Sequence, residues 1–176
     1  MLFRSVEHLL ISEVQPGTEQ GLEDEFVELY NPTNAPISIV GFSLKKQSST
    51  GSESNLVSSL AMTGTVPAHG FFLIAHKNFL GSTPQDITYS ANSNNLAYKN
   101  NGVLLYDASG TLIDRAWWVD IEKGASIERK AWENEFCLIA TETNELLGNG
   151  CDTDSIEDFD VRLVPEPQNT LSFTEP

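Results

Sequence analysis

The run CDTDSIEDFD, residues 151–160, gathers Asp152, Asp154, Glu157, Asp158 and Asp160 in one short stretch. Hard oxygen donors of this kind suit calcium, which takes roughly six to eight of them. The spacing is not that of an EF-hand, because no Gly stands at the sixth loop position and Ser155 and Ile156 occupy the middle. Asp152, Asp154, Glu157 and Asp158 are therefore candidate calcium ligands, and the plainer alternative is a solvated acidic loop. The possible general bases include three histidines, His8, His69 and His76, and no Gly-x-Ser-x-Gly elbow accompanies them. His-Glu-x-x-His, P-loop and dinucleotide-glycine patterns are also absent. The histidines read as structural or solvent-exposed, and the chain as a protein that is not an enzyme. Glu28, in DEFVELYNP, shares one strand face with Phe26 and Tyr30, while Val27 and Leu29 share the other. No second polar group beside it in sequence completes an acid–base pair, so Glu28 reads as a hydrogen-bonded or cross-strand paired group.

The elements that must position these residues belong to a chain of 176 residues with a net charge of -15. That size fits a single domain spanning 1–176. The charge opposes direct nucleic-acid contact, which depends on neutralising phosphates with Lys and Arg. The acids crowd between Glu133 and Glu166, where Arg162 is the base they surround, so this end attracts cations or basic partners or simply maintains solubility. No run is long and apolar enough to span a membrane. The opening stretch carries Arg4, Glu7 and His8 where a secretory signal would be continuously apolar, so the chain reads as cytosolic or as lacking its signal. Cys137 and Cys151 flank a polar segment and are either there by chance or joined in one disulfide; a bridge would close a loop otherwise short of apolar support.

Short apolar runs separated by Gly, Pro, Asn and Ser mark an all-β sandwich or barrel. Strands are expected at 6–14, 25–31, 35–40, 42–46, 71–76, 102–107, 111–118, 126–132 and 160–164, with an edge strand near 55–60. FFLIAH, residues 71–76, is apolar at both parities and should lie centrally with both faces covered. Gly110 closes an antiparallel hairpin between 102–107 and 111–118, and in VPAHG the left-handed residue is expected at Gly70. Residues 77–101 read as loop with a helical turn at HKNFL, residues 133–159 as an acidic loop, and the Pro-rich tail after Val164 as extended over the surface or frayed. Alternation sends one of Trp117 and Trp118 into the core and the other outward, where an exposed Trp could anchor a sugar or a protein.

LLISEVQ, DEFVELYNPTNAPISIVGFSLKKQ, VPAHGFFLIAH, NNGVLLYDASGTLIDRAWW, ASIERK and FDVRLVPEPQN, in that order from about Leu9 to Thr170, resemble the successive strands of a lamin tail domain. This is the immunoglobulin-like module of nuclear lamins that also occurs in many bacterial proteins. The resemblance implies an immunoglobulin-like antiparallel β-sandwich of about nine strands with long loops. It brings no catalytic residue with it. Animal members are linked with chromatin and nuclear-envelope partners, which the acidic charge opposes here; bacterial ones resemble accessory modules of secreted or surface nucleases and hydrolases. The reading that follows is a non-catalytic adhesion or structural module, extracellular or of the cell envelope, monomeric or weakly oligomeric. It would bind a protein or glycan through loops at one end of the sandwich, and would need no cofactor. A calcium-stabilised structural domain and an accessory domain of a secreted nuclease or hydrolase are the alternatives.

Overall fold

A computed structural model describes residues 6–90, 95–133, 136–138 and 147–176. The strands are β1 (Leu10–Gln15), β2 (Phe26–Tyr30), β3 (Ile37–Ser38), β4 (Ser43–Gln47), β5 (Glu53–Val57), β6 (Thr65–Val66) and β7 (Phe71–His76). They continue with β8 (Ile87–Tyr89), β9 (Lys99–Tyr106), β10 (Leu112–Asp120), β11 (Ser126–Arg129), β12 (Ala131–Glu133), β13 (Phe136–Leu138) and β14 (Phe159–Arg162). A 3-10 turn, Ile156–Asp158, precedes β14.

A six-stranded sheet, ordered β14-β11-β1-β2-β7-β8, packs against a four-stranded sheet ordered β10-β9-β4-β5, and the pairs β12-β13 and β3-β6 form small ribbons. The layers form the expected immunoglobulin-like sandwich. Among the described residues ten strands build its two sheets, in keeping with the expected number of about nine, and one pair is parallel, β8 beside β7. The alternation of β2 explains the layering. Val27 and Leu29 point inward, with Phe72 and Ile74 of β7 and Ile127 of β11, and share one buried cluster with Leu44, Val103, Leu105, Ala116 and Trp118 of the facing sheet.

β7 is buried along its whole length, as its two-sided apolar pattern requires. Its other face, with Leu73 and Ala75, joins Phe26 and Phe79 in a second, smaller cluster on the outside of the large sheet. What closes that outer face is the C-terminal tail. Tyr30 Oη donates to Glu175 O at 2.5 Å, Glu175 N donates to His69 O at 2.7 Å, and Asn169 Nδ2 donates to Pro84 O at 2.7 Å. The tail is thus an ordered strap over the sheet, with its own Asn169 and Glu175 buried.

Two turns show how closely local chemistry was readable. Gly110 takes φ 82° in the β9–β10 hairpin, with its N–H on Asp107 O at 3.0 Å. In VPAHG the left-handed residue is His69, at φ 51°, and not Gly70. Gly70 is needed for space: a Cβ there would lie 2.9 Å from Cβ of Pro67. At HKNFL one turn forms, Phe79 N donating to His76 O at 2.9 Å.

Candidate functional site

The first polar assembly lies on the outer face of the six-stranded sheet. Register places Glu28 of β2 opposite Glu13 of β1, Glu13 opposite Glu128 of β11, and Glu128 opposite Asp160 of β14, a row of acids across four neighbouring strands. Like charges directly opposite one another repel, so the row persists only where protons or donors compensate it. Ser12 Oγ donates to Glu28 Oε1 at 2.6 Å, the Gln168 N–H of the strap donates to Oε2 at 2.5 Å, and Ser126 Oγ donates to Glu13 Oε1 at 2.5 Å. Arg162 Nε sits 2.8 Å from Glu128. Burial pushes the Glu13 carboxyl up to about 8. Burial, and then the neighbouring Glu13, push Glu28 well above the usual carboxylate range. Glu28 is accordingly both hydrogen-bonded and cross-strand paired, and it is sealed from any substrate by the strap.

The acidic run surrounds a residue that the sequence reading passed over, Arg129. Its guanidinium is buried between the sheets, where Nη2 donates to both oxygens of Asp114 at 2.8 and 2.6 Å, Nε donates to Ile11 O at 2.8 Å, and Nη1 donates to Cys151 O at 2.6 Å. The Phe159 ring lies 4.5 Å away. Asp152 and Asp158 stand 3.9 and 3.8 Å from Nη1. Asp158 also caps the 3-10 turn, accepting from Thr153 N at 2.8 Å and Ser155 N at 3.2 Å. Of the four candidate calcium ligands, two are therefore engaged by Arg129 and the turn. Asp154 adopts φ 60° and Glu157 N donates to Ser155 Oγ within the turn. Among the described residues the group close enough to share an ion is Cys137, Cys151 and Asp158, within 4.8 Å. Those two sulfurs are joined in a disulfide and offer no thiolate. The bridge expected from sequence is thus formed, while residues 139–146 of its loop lie outside the described set. The signal for Arg129 was parity: in SIERK it shares the inward face with Ile127, as Asp114 does with Ala116 in the strand opposite.

Among the described residues none of the histidines bonds a serine, threonine or cysteine side chain. His8 Nε2 lies 3.8 Å from Asp152, and His69 Nε2 lies 2.8 Å from Asn34 Oδ1. His76 is buried edge-on to Tyr89, accepts from Asn78 N at 3.1 Å, and is held neutral because burial lowers its pKa. Glu25, beside it in the fold, accepts from Tyr89 Oη at 2.8 Å and Leu96 N at 2.7 Å, and burial raises it to about 7.

On the outer face of the four-stranded sheet some side chains remain uncommitted among the described residues. Trp118 points inward, its Nε1 donating to Ala97 O at 2.8 Å, so Trp117 points outward. Register sets Trp117, Gly102, Gln47 and Glu53 in one row and Arg115, Leu104, Lys45 and Asn55 in the next. Gly102 lets the indole lie against the strand, since a Cβ there would come within 2.5 Å of Trp117 Cε3. The turn at Asp154, Ser155 and Ile156 walls this area into a cleft of about 370 Å³ that also takes in Gln47, Leu104, Arg115 and Trp117. Among the described residues the side chains of Gln47, Arg115 and Trp117 make no hydrogen bond or ion pair. In two other recesses, of about 350 and 510 Å³, several polar side chains are already engaged: Asp24 with Leu80 N, Tyr98 with Thr18 O, and Lys123 with Glu19.

This architecture, two packed sheets with one outer face strapped and one open, defines an immunoglobulin-like β-sandwich module. The sequence profile of the Lamin Tail Domain matches residues 4–120, more than half of the chain, and the chain belongs to that family. The match ends with β10. The stretches ASIERK and FDVRLVPEPQN lie beyond it, as β11, β14 and the start of the strap, in the same six-stranded sheet as β1, β2, β7 and β8. A crystal structure of a DUF4876 family protein from Bacteroides thetaiotaomicron is similar in fold, with a TM-score of 0.61 at 13% identity over 92% of this chain and 72% of that one. No curated protein matches. Among the described residues, no helix is long and apolar enough to cross a membrane.

Proposed function

We propose that this lamin tail domain is a non-catalytic binding module of a bacterial surface or secreted protein, engaging a protein or glycan partner. The observation that carries the reading is the asymmetry of the two sheets. One outer face is closed by its own chain, while the other presents Trp117, Gln47 and Arg115 to a cleft with their polar groups uncommitted inside the described structure. The Cys137–Cys151 disulfide suits an oxidising compartment, and so favours an extracellular or envelope location. The charge of -15 disfavours nucleic acid as the partner. The alternative, a calcium-stabilised role for the acidic turn, would have to compete with Arg129 for Asp152 and Asp158. The same module could accompany a secreted nuclease or hydrolase without contributing to its chemistry.

Co-sedimentation of the folded protein with bacterial cell-envelope material at physiological salt tests this. Binding is expected, and Arg115→Glu, which reverses a charge on the open face, should weaken it by about ten-fold with an unchanged melting temperature. Undiminished binding by that variant would move the site elsewhere, and turnover in an esterase, phosphatase or nuclease panel would contradict the non-catalytic reading.

A further inference from the structure

We infer that the cleft above Gly102 binds a neutral oligosaccharide, with Trp117 as the stacking platform and Gln47 and Arg115 as the groups that read its hydroxyls. This rests on the reading that the open sheet face is the binding surface, and it names the class of ligand. A sugar ring presents an apolar face of C–H groups and a rim of hydroxyls that both donate and accept. A matching site needs a flat apolar surface with mixed hydrogen-bonding groups at its edge. Trp117 supplies the surface at low conformational cost, having two side-chain torsions and one side already seated against Gly102. Its Nε1 donates, the Gln47 amide donates and accepts, Arg115 donates in a planar fork, and the Ser155 hydroxyl does both, all on the lining of one cleft.

Charge selects within the class. Arg115 shares the cleft with Asp154, and in the neighbouring row Lys45 is paired with Glu53 at 3.0 Å, so the area carries little net charge within a molecule of -15. Sulfated or uronic-acid chains would meet a repelling molecule and, among the described residues of the cleft, Arg115 as the cation, which favours neutral sugars as the complementary ones. The volume of about 370 Å³ is at the lower end of the roughly 300–1,000 Å³ typical of small-ligand sites and suits a short run of rings.

The test titrates the full chain with neutral chito-, cello-, xylo- and manno-oligosaccharides, read by calorimetry and by the indole N–H signals in two-dimensional NMR. Saturable binding to at least one series is expected, with the Trp117 indole signal shifting and that of Trp118, bonded to Ala97, staying in place. Gln47→Ala and Arg115→Ala should each weaken affinity by about ten-fold without lowering the melting temperature. Because Trp117→Ala removes packing over Gly102, Trp117→Phe is the companion variant and should keep part of the affinity. No saturation with any series, or saturation that the Gln47 and Arg115 variants leave unchanged, overturns the inference. Envelope binding that is sensitive to Arg115→Glu but survives removal of all carbohydrate from the envelope material would sink the sugar and spare the binding-module reading. Loss of both kinds of binding would sink both.

Discussion

Arg129 shows how much a single residue can carry in this fold. Its guanidinium joins β11 of one sheet to Asp114 of the other and to the backbone of Ile11 and Cys151, with all of these groups removed from water. Replacing it by Met is expected to cost about 3–5 kcal/mol, because Asp114 would be left charged and buried with Asp152 and Asp158 close by. The double change Arg129→Met and Asp114→Leu should recover a large part of that loss. Denaturant midpoints of the single and double variants decide it, and a single variant as stable as the parent would show that the pair is dispensable. The inward parity of both residues is visible in SIERK and TLIDRAWW, so the placement was legible. That the two strands face each other across the sandwich was not, since β10 and β11 belong to different sheets.

The strap shows the same contrast among the elements. PEPQNTLSFTEP has neither period-two nor helical spacing, and sequence patterns alone describe it as extended or frayed. Its order comes from partners distant in the chain: Gln168 N on Glu28, Asn169 on Pro84, Thr170 Oγ1 on Asp86 at 2.5 Å and Glu175 N on His69. Deleting residues 165–176 is expected to lower stability by at least about 3 kcal/mol and to increase binding of a hydrophobic dye, because Phe26, Leu73 and Ala75 on the outer face lose their cover. A truncated chain that melts with the parent would refute the strap as a structural element. The strands themselves were far more readable. β2, β7 and the β9–β10 hairpin follow directly from alternation, from a two-sided apolar run and from Gly110, because these signals are local. The parallel placement of β8 beside β7 leaves no such local mark.

At the scale of the whole molecule, buried carboxyls set the response to pH. Glu13 is raised to about 8 and Glu25 to about 7 from an ordinary value of 4.5, and Glu28 is raised as well, with burial the largest cause in each case. A raised carboxyl holds its proton in the folded state while the unfolded chain releases it. Its contribution is therefore fully present below about 4.5 and is lost as pH rises towards 7 and 8. Stability should be greatest near pH 5 and fall by on the order of a few kcal/mol by pH 9, as read from denaturation midpoints across that range. Glu28→Gln should cost about 1 kcal/mol at pH 5, where it gives up one accepted hydrogen bond, and should flatten the decline at higher pH. A wild-type profile that rises from pH 5 to 9 would contradict the raised carboxyls of Glu13, Glu25 and Glu28. What the sequence by itself determined is the all-β class, most strands of the two sheets, the hairpin at Gly110, the family likeness and the acidic charge, because alternation, glycine chemistry and charge act over neighbouring residues. Only the tertiary structure decided that Glu28 is sealed, that the acidic run serves Arg129, and that Trp117, Gln47 and Arg115 share a cleft. Each of those depends on which strands lie side by side and which faces meet, and that is settled by packing between residues far apart in the chain.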